Sequence, residues 1–141
     1  MRFRKKNILL LLIVVVIASQ FIRIEHSNPP VVAELTASRE LMSILRRSCF
    51  DCHSNETVWP WYTDIAPISW LVAYDVNAGR KQLNFSVWGK YDVKKRAKLK
   101  KEIWEQVDEG EMPPLQYYPA HLNARLSESD KNVIHSWSTA D

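Results

Sequence analysis

Two cysteines and a histidine lie within five consecutive residues of this chain, as Cys49, Cys52 and His53. The spacing Cys-x-x-Cys-His is the attachment signature of a c-type haem. In that chemistry the two thiols add to the two vinyl groups of the haem, and two intervening residues let both sulfurs reach the same ring. The adjacent histidine lies under the iron and supplies one axial nitrogen. The spacing therefore predicts a covalently attached haem c, with Cys49 and Cys52 as attachment points and His53 as an iron ligand.

A sixth iron ligand must come from elsewhere in the chain, and Met112 is the first candidate. It stands between a predicted helix stop at Gly110 and the proline pair 113–114, so a stiff loop holds its thioether. Met/His ligation is a recognised haem c arrangement and raises the reduction potential. The alternative for Met112 is a core methionine that fills a gap. The alternative ligand is His121, on a predicted loop.

Three more side chains have chemistry that suits a haem pocket. Trp59 and Trp61 flank Pro60, which presents the rings on a non-helical loop. They form either a satellite hydrophobic cluster or a wall against the porphyrin face, with an indole N–H bonded to a propionate. Arg80 is either a solvated surface charge or a clamp on a propionate through its planar donor fork.

The rest of the composition predicts an all-α fold. The chain has 141 residues with only three glycines and seven prolines, which favours helices joined by proline-marked turns over a hairpin-rich sheet. Apolar residues at helical spacing, together with start and stop signals, predict four helices. These run over 36–47, from Pro67 to a stop or bend at Gly79, from Asp92 to Gly110, and from a capping box at 127–130 to Trp137.

The amino-terminal segment pairs a basic cluster at 1–6 with an apolar run at 8–18 that extends less cleanly to Ile22. This pattern is typical of a signal anchor, which is a transmembrane helix, or of a cleaved secretory signal peptide. A helix over residues 8–22 would rise about 22 Å, short of the ~30 Å hydrocarbon core, so flanking residues would have to complete the span.

The anchor hypothesis predicts a single-pass protein of the bacterial inner membrane with its haem domain on the periplasmic side. The predicted organisation is a signal anchor or transmembrane helix at 1–26, a stiff linker at 27–34 and a cytochrome c-like haem-binding domain at 35–141.

Charge and cysteine usage exclude several functional classes. The formal charge is +3, but four basic residues among the first six account for it, so the folded part is close to neutral and nucleic-acid binding is disfavoured. Both cysteines lie in the motif, which leaves no second pair for a zinc site. A thiol–disulfide oxidoreductase would need a βαβ setting that the pattern does not show. The basic run at 94–101 is either a solvated helix face or a docking patch.

Several connected segments match a known pattern over roughly residues 35–138. They are Cys49 to Ser54, Trp59 to Tyr62, Ala66 to Trp70, Gly79-Arg80, Leu83 to Trp88, Met112 to Pro114, His121, and Leu126 to Trp137. In these segments the chain resembles a family of small bacterial haem-binding domains with a basic-apolar amino terminus and one Cys-x-x-Cys-His.

The resemblance implies a mainly helical, cytochrome c-like domain with one covalent haem. Cys49 and Cys52 match the attachment cysteines and His53 matches the proximal ligand. Met112 falls where cytochromes c of this general plan place the distal methionine, and His121 also belongs to the pattern.

The first functional hypothesis is a membrane-tethered monohaem c-type cytochrome that transfers single electrons, and not an enzyme. An iron with two protein ligands changes oxidation state with little rearrangement, which suits electron transfer. Its partners would be redox proteins in or at the membrane. The alternative is a haem-based sensor or a peroxidase-like protein, in which the sixth position is open or its ligand is displaceable.

Overall fold

The computed structural model describes residues 2–140, and side chains from residue 4 onward. Over this range the chain forms helices joined by turns, with no strand, which confirms the all-α prediction. The helices are α1 (Arg2–Ser19), α2 (Arg39–Ser48), α3 (Phe50–His53), α4 (Ile68–Gln82), α5 (Val93–Asp108) and α6 (Glu128–Thr139). Single 3₁₀ turns cover Trp61–Asp64, Phe85–Lys90, Leu115–Tyr117 and Leu122–Ala124.

Helix α2 leads directly into the cysteine motif. It begins after Ser38, whose hydroxyl accepts the backbone N–H of Leu41 at 3.2 Å and so caps the first turn. Its apolar face is buried in the core, and Cys49 continues the backbone ladder by donating its N–H to Leu45 at 2.8 Å. The predicted helix therefore forms, and it delivers Cys49 at its carboxyl end.

The core lies between α2, α5, α6 and the 3₁₀ turn Phe85–Lys90, because α6 packs against both α5 and α2. Its largest fully buried side chains include Phe85, Leu41, Leu45 and Ile134. Phe50, the first residue between the two cysteines, stacks on Phe85 with ring centroids 5.2 Å apart. The motif is thereby bound to the core through one of its own residues.

Helix α5 has the predicted start and stop. The Asp92 carboxylate accepts the N–H of Lys95 at 2.7 Å, and Gly110 adopts a φ of 75° after the helix ends, a conformation that favours glycine. Two lysines of its basic run form ion pairs with glutamates one turn later, Lys98 with Glu102 and Lys101 with Glu105. The run is therefore partly neutralised on its own helix.

Helix α4 differs from its prediction in two ways. Gly79 was predicted to stop or bend it, but the helix continues through Gly79 to Gln82. Its predicted apolar stripe is also not all core, because Val76 is buried whereas Ile68 and Leu71 are 46% and 56% exposed. The helix can continue through Gly79 because it packs against α3 there, where a larger residue would not fit.

The prediction of a transmembrane helix is wrong for the part of the chain that the structure describes. There, no helix is both long and apolar enough to span a bilayer. Four of the first five residues of α1 are basic. The unbroken apolar run at 8–18 would rise only about 16 Å of the ~30 Å hydrocarbon core.

The segment predicted as a linker, residues 27–34, lies along the domain. The backbone N–H of Ala33 donates to Ser86 at 3.1 Å, and that of Leu35 donates to Phe85 at 2.9 Å. These bonds join the amino-terminal segment to the 3₁₀ turn in the core. The segment is therefore hydrogen-bonded to the fold over this stretch.

The capping box at the start of α6 provides a test of the fold. The Ser127 hydroxyl accepts the N–H of Asp130 at 3.1 Å, and the Asp130 carboxylate accepts the N–H of Ser127 at 2.8 Å. We expect Ser127→Ala to lower the free energy of unfolding by about 1 kcal/mol in urea denaturation, because the first turn loses its cap. The control is Ser129→Ala, which changes an exposed residue of the same turn. Equal stability of the two variants would contradict the assignment.

Candidate functional site

The three motif residues with reactive side chains share one face of a single helical turn. Both Cys52 and His53 donate their backbone N–H to the carbonyl of Cys49, at 3.2 Å and 2.9 Å. Residues three and four apart lie above one another on a helix, so Cys52 and His53 both stand next to Cys49. Asp51 precedes Cys52 in the same turn, and its carboxylate is close enough to raise the pKa of Cys52.

His53 is held in one orientation by α4. Its Nδ1 lies 3.0 Å from the carbonyl oxygen of Gly79 and 3.2 Å from that of Leu83. Because both partners are acceptors, Nδ1 carries the proton and donates, so Nε2 keeps a free lone pair. Burial lowers the pKa of His53, and the two carbonyl bonds offset this only in part. His53 is therefore a neutral imidazole with its ligating nitrogen already selected.

The two thiols are free, half-buried and protonated at neutral pH. Burial raises the pKa of Cys49 to about 12, with a smaller contribution from the neighbouring Cys52 and an opposing one from Arg47. Burial also raises the pKa of Cys52 to about 11, together with the carboxylates of Asp51 and Asp75. A dithiol that exchanges disulfides needs a lowered pKa, so this environment disfavours an oxidoreductase.

Helix α4 approaches the motif very closely at Gly79. A Cβ atom added there would lie 2.6 Å from the carbonyl oxygen of Cys52, so only glycine fits without a shift. Asp75, one turn earlier, is close enough for its charge to raise the pKa of Cys52. Leu71 and Ile68 continue the same face for two further turns.

The exposed side chains of Leu71 and Ile68 therefore form a short apolar strip on this face of α4, separated from the motif by Asp75. Sequence analysis used them only as apolar residues at helical spacing and missed them as site residues. The available signal was the width of the apolar stripe, which exceeds what the buried face of α4 needs. Such a strip suits the face of a flat apolar ligand.

A second cluster surrounds Asp51, close to Cys52. The Tyr117 hydroxyl donates to Asp51 Oδ2, and Nε2 of His121 lies 3.8 Å from the same oxygen. The Tyr117 and His121 rings are stacked with centroids 3.8 Å apart, and Tyr62 meets His121 edge-on at 6.5 Å. Burial and the Asp51 carboxylate raise the pKa of Tyr117, which keeps it a protonated donor. Sequence analysis missed Tyr117, for which it had no motif.

Met112 lies on a loop between α5 and this cluster. Its backbone N–H donates to the carbonyl of Gln106 in α5 at 3.1 Å, and its side chain is 39% exposed. Five residues later Tyr117 reaches Asp51. The two candidates for a sixth ligand thus differ, because the His121 ring is engaged with Tyr117 and Asp51 whereas Met112 is partly exposed.

The two tryptophans occupy different environments. Trp59 stacks on His26 at 4.4 Å, and its indole N–H donates to Asn28 Oδ1 at 3.3 Å. Trp59 therefore has its polar group already bonded within the protein. Trp61 is 76% exposed and touches Tyr62 edge-on at 6.0 Å, so most of its surface stays open.

The guanidinium of Arg80 is bonded to protein atoms and is not available to bind a haem propionate. Its Nε donates to the carbonyl of Ser54 at 2.7 Å, and Nη1 donates to that of Ser27 at 2.8 Å. Its Nη2 contacts Asn28 Oδ1 at 2.7 Å and Thr57 Oγ1 at 2.8 Å. Four hydrogen bonds occupy most of the five N–H donors of a guanidinium, so Arg80 joins protein segments to one another.

Comparison with known families gave one match. A family model described as a haem-binding domain matches residues 14–140, which is most of the chain. No curated protein and no solved structure matches the chain. The matched range begins inside α1 and includes residues 27–34, which the structure places along the domain.

The close contact at Gly79 predicts that Gly79→Ala changes the free energy of unfolding in the direction opposite to that expected from helix propensity. Helix propensity alone predicts that Gly79→Ala stabilises α4 by about 1 kcal/mol. We expect the variant instead to lower the free energy of unfolding by about 1–3 kcal/mol, because the new Cβ overlaps the Cys52 carbonyl. Urea denaturation followed by tryptophan fluorescence measures the difference.

The control is Ala78→Gly, at an exposed position of the same helix, which should cost about 1 kcal/mol through propensity alone. A Gly79→Ala protein that is more stable than the parent would contradict the close approach of α3 and α4.

Proposed function

This chain belongs to the haem-binding domain family and is a haem-binding protein, and on that premise we propose that it is a monohaem c-type electron carrier. Cys49 and Cys52 would hold the haem covalently as thioethers, and His53 would supply the proximal nitrogen. The bound haem supplies a one-electron iron couple.

The observation that carries the proposal is the state of His53. Its Nδ1 donates to two carbonyls, so Nε2 has its lone pair available on the face that also bears both cysteines. A fixed tautomer with a carbonyl partner is the usual support for a metal-bound histidine. The short apolar strip of Ile68 and Leu71, on the face of α4 that also bears Gly79, would suit part of a porphyrin surface.

Met112 is the proposed sixth ligand, with His121 as the alternative. His121 is stacked on Tyr117, and its Nε2 faces the Asp51 carboxylate, so its ring is already engaged within the protein. Met112 is 39% exposed on a loop, which would allow its sulfur to approach an iron.

An extracytoplasmic location is part of the proposal. The basic-apolar start of the chain is typical of an export signal. Covalent haem attachment is expected outside the bacterial inner membrane, so export and the motif agree. Redox proteins at that membrane are the proposed partners, and the exposed ring of Trp61 adds to the apolar surface open to a partner.

A haem sensor or a peroxidase-like protein is the second candidate. The exposure of Met112 favours it, because a ligand on a partly exposed loop is more easily displaced than a buried one. In that case an external ligand would replace the thioether at the sixth position.

Covalent attachment is tested on full-length protein from a host able to mature c-type haem. We expect haem to stay with the protein through denaturing acid extraction, because two thioether bonds hold it. Cys49→Ala combined with Cys52→Ala should release all haem in the same extraction. Complete release from the parent protein would refute covalent attachment.

The sixth ligand is tested by absorption spectra of single variants. The parent should be low-spin with the long-wavelength sulfur–iron band. Met112→Ala should lose that band and become high-spin, whereas His121→Ala should keep it. Loss of the low-spin spectrum in His121→Ala alone would assign the ligand to His121. A high-spin parent that binds carbon monoxide readily would favour the sensor or peroxidase-like function.

A further inference from the structure

Gly79 and Arg80 are consecutive residues of α4 that hold consecutive residues of the motif. The Gly79 carbonyl accepts Nδ1–H of His53 at 3.0 Å, and Arg80 Nε donates to the Ser54 carbonyl at 2.7 Å. The two bonds run in opposite directions, from motif to helix and from helix to motif. Together they set both the position and the rotation of the turn that carries His53.

Arg80 also binds two segments outside the motif. Its Nη2 donates to Thr57 Oγ1 at 2.8 Å, in the loop after the motif. Nη1 and Nη2 donate to Ser27 and Asn28, at 2.8 Å and 2.7 Å. We call residues 26–35 the strap, because they pass over this loop and continue to the core.

The strap is bonded to the loop independently of Arg80. Asn28 Nδ2 donates to the Thr57 carbonyl at 2.9 Å, and Asn55 Nδ2 donates to the Pro30 carbonyl at 2.9 Å. The loop is bonded in turn to α3, because Thr57 Oγ1 donates to the Asp51 carbonyl at 2.6 Å. A continuous set of hydrogen bonds therefore joins the strap to the turn that carries the cysteines.

The charge of Arg80 adds an electrostatic consequence. The guanidinium is half-buried, and its Nε lies 2.7 Å from the carbonyl oxygen of Ser54, one residue after His53. A positive charge is therefore fixed beside the carboxyl end of α3, where it also lowers the pKa of Cys52. Screening is weaker in a partly buried environment than in water. A fixed positive charge there favours the less positive oxidation state of a nearby iron, and so raises its reduction potential.

We propose that Arg80 is a positioning residue of the haem site, which holds the His53–Ser54 turn on α4, fastens the strap over it and raises the reduction potential. The proposal rests on the proposed function, in which His53 ligates a covalently held haem. It assigns the strap to the site, and it gives Arg80 a role different from a propionate clamp.

The test separates charge from geometry with two variants of the holo-protein. Arg80→Gln removes the charge and the donor fork, and Arg80→Lys keeps the charge and removes only the fork. We expect Arg80→Gln to lower the ratio of reduced to oxidised protein about tenfold at a fixed potential, a shift of about 59 mV for one electron. In Arg80→Lys this ratio should stay within threefold of the parent value. Potentiometric titration measures the ratio in both variants.

Hydrogen exchange followed by mass spectrometry measures how firmly the strap is held. Both Arg80 variants, and Asn28→Ala, should exchange the amides of residues 26–35 at least tenfold faster than the parent. Asn28→Ala should lower the ratio of reduced to oxidised protein less than Arg80→Gln does, since it removes a strap contact and one Arg80 partner but keeps the charge. It also keeps the proposal testable if Arg80→Gln fails to fold.

The matched control is Lys81→Gln, which removes the same charge from the next, exposed residue of α4. It should change the ratio of reduced to oxidised protein by less than twofold, and it should leave the exchange of the strap amides as in the parent. An Arg80→Gln protein that behaves like Lys81→Gln in both measurements would overturn the proposal. If the parent does not hold haem covalently, the proposed function fails, and slow strap exchange in Arg80→Gln would still reject the positioning role by itself.

Discussion

The contact between α3 and α4 at Gly79 is the constraint on which the site depends. The missing Cβ lets the α4 backbone reach the Cys52 carbonyl, and at that distance the Gly79 carbonyl accepts the His53 ring proton. On the other side, Phe50 is stacked on Phe85 in the core. The motif turn is thus fixed between a helix backbone and a packed aromatic ring. Its histidine tautomer is a consequence of that fixation, because a carbonyl can only accept.

The motif turn could not hold this shape alone. Helix α3 has four residues, and a single isolated helical turn is unstable because nucleation costs more entropy than one hydrogen bond recovers. Its stability comes from α4, from the loop that follows and from the strap over that loop. Arg80 connects these parts through four hydrogen bonds. The amino-terminal segment therefore helps to hold the motif turn in place.

Local sequence signals correctly predicted the ends of α5 and the start of α6. The cap at Asp92, the stop at Gly110 and the capping box at Ser127 lie within a few residues of the groups that they bind, so the sequence contains both partners. Prediction failed where a distant partner decides the outcome. Gly79 is a residue type that often ends a helix, but here it lies inside α4. The carbonyl of Cys52, 27 positions earlier, leaves no room for a side chain at this position. Residues 27–34 have the composition of a linker, but carbonyl and amide groups far along the chain bind them.

The sequence by itself determined which reactive groups the motif carries and that they come together, because the spacing of Cys49, Cys52 and His53 is a property of one helical turn. It also determined the helical class, through caps and apolar periodicity. Only the tertiary structure decided which nitrogen of His53 is free, that Arg80 binds protein carbonyls, and that His121 meets Asp51. Each of these depends on groups that are 26 or more residues apart. Such groups meet only after the helices pack, and no local pattern encodes their distance.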